Sequence, residues 1–278
     1  MTRREYNRRM RRIKAQVKRA AVIAALVLSV ILMICGCLYI GEHLFQKEEK
    51  VEAPQDQNQE QVPENNDAQP VVEDPVPDTD TLILETYNYQ YVKPDASGLH
   101  LVLDAGHGGN DPGTEDGVIV EKDINLTITK RIAELLKESG ATVTMVRETD
   151  EYLSLEERSY AGNQTTADLF LSLHCNSFAD DTSISGLEAY YHKNSQVSKD
   201  YAENLTQALK DSNTIYVRNA SKQNMQVLRN SAIPAVMVEM GFLTNPEECA
   251  RLTDPLYQEF LARLLTEKVV GVLKPAAM

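Results

Sequence analysis

The sequence predicts one layered α/β domain over residues 98–278, with a mostly parallel central sheet flanked by helices, preceded by a transmembrane helix and a disordered linker. Two observations carry the domain. The apolar runs ending near Ala105, His174 and Glu239 are almost continuous, as strands covered on both faces are. Segments with apolar residues at helical spacing stand between them, and such alternation builds an α/β layer. A third observation carries the leader: residues 20–41 contain no charge.

Residues 1–19 form a basic tail with nine Lys or Arg against Glu5, a charge of +8 within a chain of −13, so the remainder carries −21. The uncharged residues that follow would span roughly 33 Å as a helix, enough for the hydrocarbon core of a bilayer. The basic side stays in the cytoplasm, so the rest is expected outside, as a single-pass cell-membrane protein whose domain faces the cell wall. A secreted form is the alternative, although the apolar run exceeds the core of a signal peptide and lacks an A-x-A-like site. A lipid anchor near Cys35 and Cys37 is the other. Residues 42–97 are rich in Glu, Gln, Asp and Pro and are expected to be a disordered tether with a span of about 40 Å. Within it, Leu82–Leu84 and Tyr87, Tyr89 and Tyr91 leave open whether the tether packs back on the domain.

In the domain, a strand from Leu99 runs to Ala105. A helix from Asp123 to Ser139 carries Ile124, Ile128, Ile132 and Leu135 and stops at Gly140. A strand over Thr142–Arg147 follows, then a helix opened by a capping box of Ser154 and Glu157. Strands over Asp168–His174 and Leu187–Tyr191, a helix over Lys199–Asp211, the strand Ala235–Glu239 and a last helix over Pro255–Leu273 complete the order. No internal repeat or second wall-binding module is evident. The acidic exterior, with a pI near 4.9, excludes nucleic acid as a partner.

Four residues stand where apolar runs give out: His107, Glu121, His174 and Glu239. Singly, His107 reads as a turn histidine and Glu121 as a helix-start glutamate suited to the dipole. His174 and Glu239, at the ends of buried-looking strands, are harder to place without a partner, since a desolvated carboxylate is costly. A catalytic zinc takes three ligands of the His and carboxylate type, lowers the pKa of water in its fourth position, and works with a nearby carboxylate as general base.

The segments LVLDAGHGGNDPGT, VIVEKDINL, LSLHCNS, GLEAYY and PAVMVEMGFLTNPEE resemble the zinc-dependent N-acetylmuramoyl-L-alanine amidases, over roughly Leu99 to Leu273. The resemblance implies one Zn2+ per domain held by His107, Glu121 and His174, with Glu239 as the catalytic glutamate and Asn176 in substrate binding. It implies peptidoglycan as substrate, cut at the amide between the lactyl group of N-acetylmuramic acid and L-alanine. The ligand set alone also admits a zinc peptidase acting within the stem peptide, and a non-catalytic wall-binding regulator would share the fold.

Cys175 stands where the family more usually has Ala, and strand alternation turns it away from the metal. The 64 residues between His174 and Glu239 leave no room for a long blocking insert, so an open site is expected. Whether Cys175 and Cys249 pair is not decided by their spacing.

Overall fold

The structure is a computed structural model that describes residues 77–275. The basic tail, the expected span at 20–41 and the linker up to residue 76 lie outside the described residues. Among the described residues no helix is long and apolar enough to cross a membrane.

The described part of the expected linker, residues 77–97, packs on the domain. Asp78 caps a helix, α1 (Thr79–Tyr87), its carboxylate accepting from the Thr81 amide at 2.8 Å. The segment has few apolar residues, yet they bury together. Ile83 is buried, Tyr87 stacks on Phe260 with ring centroids 4.4 Å apart, and the buried Tyr89 donates its hydroxyl to Glu267 at 2.6 Å. Average composition decides disorder for a long stretch, but three or four anchors suffice where a docking surface exists. Tyr87→Ala is expected to lower stability by roughly 1 kcal/mol in chemical denaturation, with metal content unchanged.

The main elements follow as β1 (His100–Ala105), the hairpin β2 (Glu115–Asp116) and β3 (Ile119–Val120), α2 (Glu121–Glu138), β4 (Thr142–Met145) and α3 (Leu155–Asn163). Then come β5 (Leu169–Asn176), β6 (Glu188–Tyr191), α4 (Gln196–Asp211), β7 (Ser221–Lys222), α5 (Gln226–Arg229), β8 (Ala235–Phe242), α6 (Pro246–Leu252) and α7 (Pro255–Leu273). Six strands form one sheet in the order β4-β1-β5-β8-β6-β7. Every pair is parallel except β6 with β8. The link from β5 to β6 carries no helix to bring the chain back for a parallel crossing, so β6 runs the other way.

Both sheet faces are covered, which explains the uninterrupted apolar strands. Leu103, Leu171 and Val238 share a core with Ile128 and Leu136 of α2 and with Phe260 and Leu264 of α7. On the opposite face Val102, Phe170 and Met237 pack with Val227 and Leu228 of α5, and α3 comes close enough to Phe170 that a Cβ on Gly162 would lie 2.6 Å from its ring. The capping box of Ser154 and Glu157 is formed as expected. Both site strands run past their expected ends, so His174 and Glu239 are paired in register within the sheet, with an irregularity in β5 just beyond.

Candidate active site

The ligand candidates come from three different elements. His107 leaves β1 in a turn, with a left-handed backbone (φ 61°) that a non-glycine residue adopts only at some cost. Glu121 is the first residue of α2, delivered by the β2–β3 hairpin. His174 lies in β5, with its ring laid on the backbone of Gly106: a Cβ there would stand 2.2 Å from His174 Cε1. Gly113, also left-handed at φ 71°, makes similar room for Glu121 and His107.

These three side chains converge. Glu121 Oε1 lies 3.2 Å from His107 Nε2 and 3.2 Å from His174 Nδ1, and one donor atom from each residue is within 4.8 Å of the others. The imidazole centroids are 4.9 Å apart. Such a His/Glu/His group is able to hold a metal ion. Glu121 is buried and tied in place, its Oε2 accepting from the Thr114 amide at 2.8 Å and its Oε1 from the Cys175 amide at 3.1 Å. Burial works against its charge, but the two imidazoles outweigh that and hold it below the usual carboxylate range. For His107, burial opposes the imidazolium while Glu121 and Asp111 favour it, and they raise it to about 9 in the metal-free protein.

Glu239 is 7% exposed, and its Oε2 is buried with no hydrogen-bond partner. Burial pushes this carboxyl up to about 7, with Glu121 and Glu188 adding to the rise and His174 opposing it. It lines a cleft of about 760 Å³ together with His107, Glu121, His174 and Asn176. Asn176 is anchored at both ends of its amide: Nδ2 donates to Glu188 at 3.2 Å and to the Tyr190 hydroxyl at 3.3 Å, and Oδ1 accepts from the Ser177 amide. Glu188 is held in turn by the Tyr190 hydroxyl and by Arg218.

Cys175 sends its thiol toward Asn125 of α2 and is not one of the converging His/Glu/His donors; complete burial raises its pKa well above the ordinary value. Cys175 and Cys249 are both buried thiols.

Sequence reading missed three supports of the site. Asp111 contacts His107 Nδ1 at 2.9 Å, which leaves Nε2 to face the centre. Its signal was present: Asp111 stands four residues after His107 in a glycine-rich turn. Arg147 and Arg158 are buried, with four hydrogen bonds each. Arg147 reaches the carbonyls of Ala105 and Gly106 and that of Lys122, joining the His107 turn to the start of α2. Arg158 holds the His107 carbonyl at 2.6 Å and the Asp104 carboxylate at 2.7 Å. Nothing in an isolated sequence distinguishes such arginines from surface ones.

The chain is similar to several known proteins. The probable cell wall amidase LytH of Staphylococcus epidermidis is 34% identical over 173 residues, 61% of this chain and 57% of the relative, so the chain spans little more than half that relative's length. The crystal structure of an N-acetylmuramoyl-L-alanine amidase from Clostridium difficile 630 superposes with a TM-score of 0.61 at 32% identity, covering 64% of this chain and 98% of that one. The CwlD amidase of Clostridioides difficile, solved in complex with the GerS lipoprotein, gives a TM-score of 0.59 at 33% identity, with 63% and 98% covered. The family model described as N-acetylmuramoyl-L-alanine amidase matches residues 101–270, well over half of the sequence, and the chain belongs to that family.

Proposed function

We propose that the chain is a peptidoglycan hydrolase that cuts the amide between the lactyl group of N-acetylmuramic acid and L-alanine of the stem peptide. The observation that carries this reading is the convergence of His107 Nε2, Glu121 and His174 Nδ1 beside a buried carboxylate, Glu239, with an unpartnered oxygen. The donor set suits zinc: two imidazoles and one carboxylate, with glycines where ring and carboxylate need space. Bound there, zinc supplies Lewis acidity and makes water acidic enough to react near neutral pH.

The protein's own groups do the rest. Asp111 fixes the His107 tautomer. Glu239, with a carboxyl near 7, takes the proton of the attacking water and returns it to the leaving amine. Asn176, held by Glu188 and Tyr190, orients the substrate at the rim. The cleft is open to substrate, and the N-terminal segment keeps the domain outside the cell, at the membrane and facing the wall.

The test is digestion of purified peptidoglycan by the zinc-loaded protein. Intact stem peptides with free L-alanine amino termini are expected; fragments cut within the stem would replace this reading with a peptidase. Metal uptake should also depend on pH in a defined direction. Because His107 keeps its proton below about 9 in the metal-free state, zinc must displace it. The apparent zinc affinity should therefore rise by roughly tenfold per pH unit from pH 6 towards 9, with proton release seen by calorimetry in buffers of different ionisation enthalpy.

A further inference from the structure

The Asn176 amide meets three partners, and their chemistry permits one orientation. Glu188 is a carboxylate and accepts, whereas the Ser177 backbone N–H donates. The Tyr190 hydroxyl spends its single hydrogen on Glu188, so towards Asn176 it also accepts. Nδ2 therefore turns to Glu188 and Tyr190, at 3.2 and 3.3 Å, and Oδ1 to Ser177, at 2.8 Å. Both hydrogens of Nδ2 are used, and the capacity left over is the second lone pair of Oδ1.

The placement of these partners gives that lone pair a direction. Ser177 lines the catalytic cleft together with Asn176, whereas Glu188 and Tyr190 do not, so the nitrogen end of the amide is turned away from the cleft and the oxygen end stays on it. The backbone is fixed as well. The Asn176 carbonyl accepts from the Leu243 amide at 2.8 Å, and β5 departs from regular pairing between His174 and Asn176, an irregularity of the kind that re-aims a side chain at a site. Glu188 is held in turn by Arg218 on Oε1 and by Tyr190 on Oε2. The Arg218 guanidinium lies over the ring of Phe242, 5.9 Å from its centroid, and Phe242 is the β8 partner of Asn176.

We propose that Glu188 is a positioning residue that acts through Asn176, setting it to accept one hydrogen bond from the stem peptide, from the backbone N–H of the residue after L-alanine. The inference rests on the amidase reading above and adds a specificity element to it. Asn176 stands two residues beyond His174 in β5, about 6.6 Å along a strand, so its partner belongs close to the cut bond. The N–H groups of an extended peptide recur at about 3.5 Å. The first past the cut carbonyl belongs to the leaving amine, whose nitrogen takes a proton as it departs. The next is the first that is the same before and after cleavage, so a bond to it stabilises ground and transition states equally and shows in KM alone.

The experiment compares two synthetic muropeptides, one natural and one whose second peptide bond, after L-alanine, is an ester, with the full-length zinc-loaded protein in detergent. The ester lacks that N–H. Its KM should be roughly 3- to 10-fold higher at unchanged kcat, the worth of one neutral hydrogen bond. Asn176→Ala should raise KM for the natural substrate and bring the two level. Glu188→Ala should do the same, although Glu188 does not line the cleft. Glu188 stands opposite Glu239 across β6 and β8, so a general disturbance of the site would change both substrates alike and keep their ratio, whereas loss of orientation removes it. A ratio that persists in Glu188→Ala overturns the proposal. Equal KM values in the unaltered protein overturn it too and leave the amidase reading intact, because both substrates are still cut ahead of L-alanine. Failure of the amidase reading looks different: neither substrate then yields a stem peptide with a free L-alanine amino terminus.

Discussion

Glu239→Gln is expected to reduce kcat by roughly 10²- to 10⁴-fold, the usual worth of a positioned general base, while zinc content stays that of the unaltered protein. The two readouts separate because Glu239 is not one of the three converging donors: it stands on β8, in register with His174, and contributes a buried oxygen with no partner. Glutamine keeps the shape and removes the proton acceptor. Loss of metal together with activity would instead make Glu239 a fourth ligand, and full activity would remove it as the base.

The same substitution has a signature in stability. In the metal-free protein the Glu239 carboxyl is raised from 4.5 to about 7, first by burial. A raised carboxyl binds its proton more tightly in the folded state, so its contribution is present below about 4.5 and is lost as pH climbs through about 7. Metal-free Glu239→Gln should lack that decline, and thermal unfolding across pH 4 to 8 shows it.

How much of this was legible in the sequence depends on what each residue is asked to do. His107, Glu121, His174 and Glu239 could be picked out because their residue types are chemically restricted and they sit beside apolar runs. Their convergence was not legible, since it depends on β1 and β8 flanking β5 and on the hairpin that delivers Glu121 to the turn. The α/β alternation was readable from periodicity, whereas the reversal of β6 depends on an irregular link without a pattern of its own. Helix α1 was hidden by its acidic surroundings, because its order comes from the surface of α7 rather than from its own composition. Arg147 and Arg158 were hidden for the opposite reason: long charged side chains read as solvent-facing, and only the folded turn offers the carbonyls that hold them.

Arg158→Met is expected to destabilise the domain by about 3–5 kcal/mol, the cost of leaving one partner of a buried ion pair alone. Asp104 is fully buried, with Arg158 at 2.7 Å on one oxygen and the Ser172 hydroxyl at 2.9 Å on the other. Replacing both charges, as Asp104→Leu with Arg158→Met, removes the uncompensated carboxylate, so much of the lost stability should return in chemical denaturation. Zinc affinity should not return with it. Arg158 also holds the carbonyls of Ala105 and His107, at 2.8 and 2.6 Å, and neither leucine nor methionine donates to them. His107 sits at a positive φ that only its surroundings maintain, so releasing its carbonyl frees the turn to relax and takes the imidazole out of line with Glu121 and His174. A double variant that is stable but binds zinc weakly would separate the two duties of Arg158. One that recovers both would reduce the arginine to a charge partner and leave Arg147, through its bonds to Ala105, Gly106 and Lys122, as the group that sets the turn.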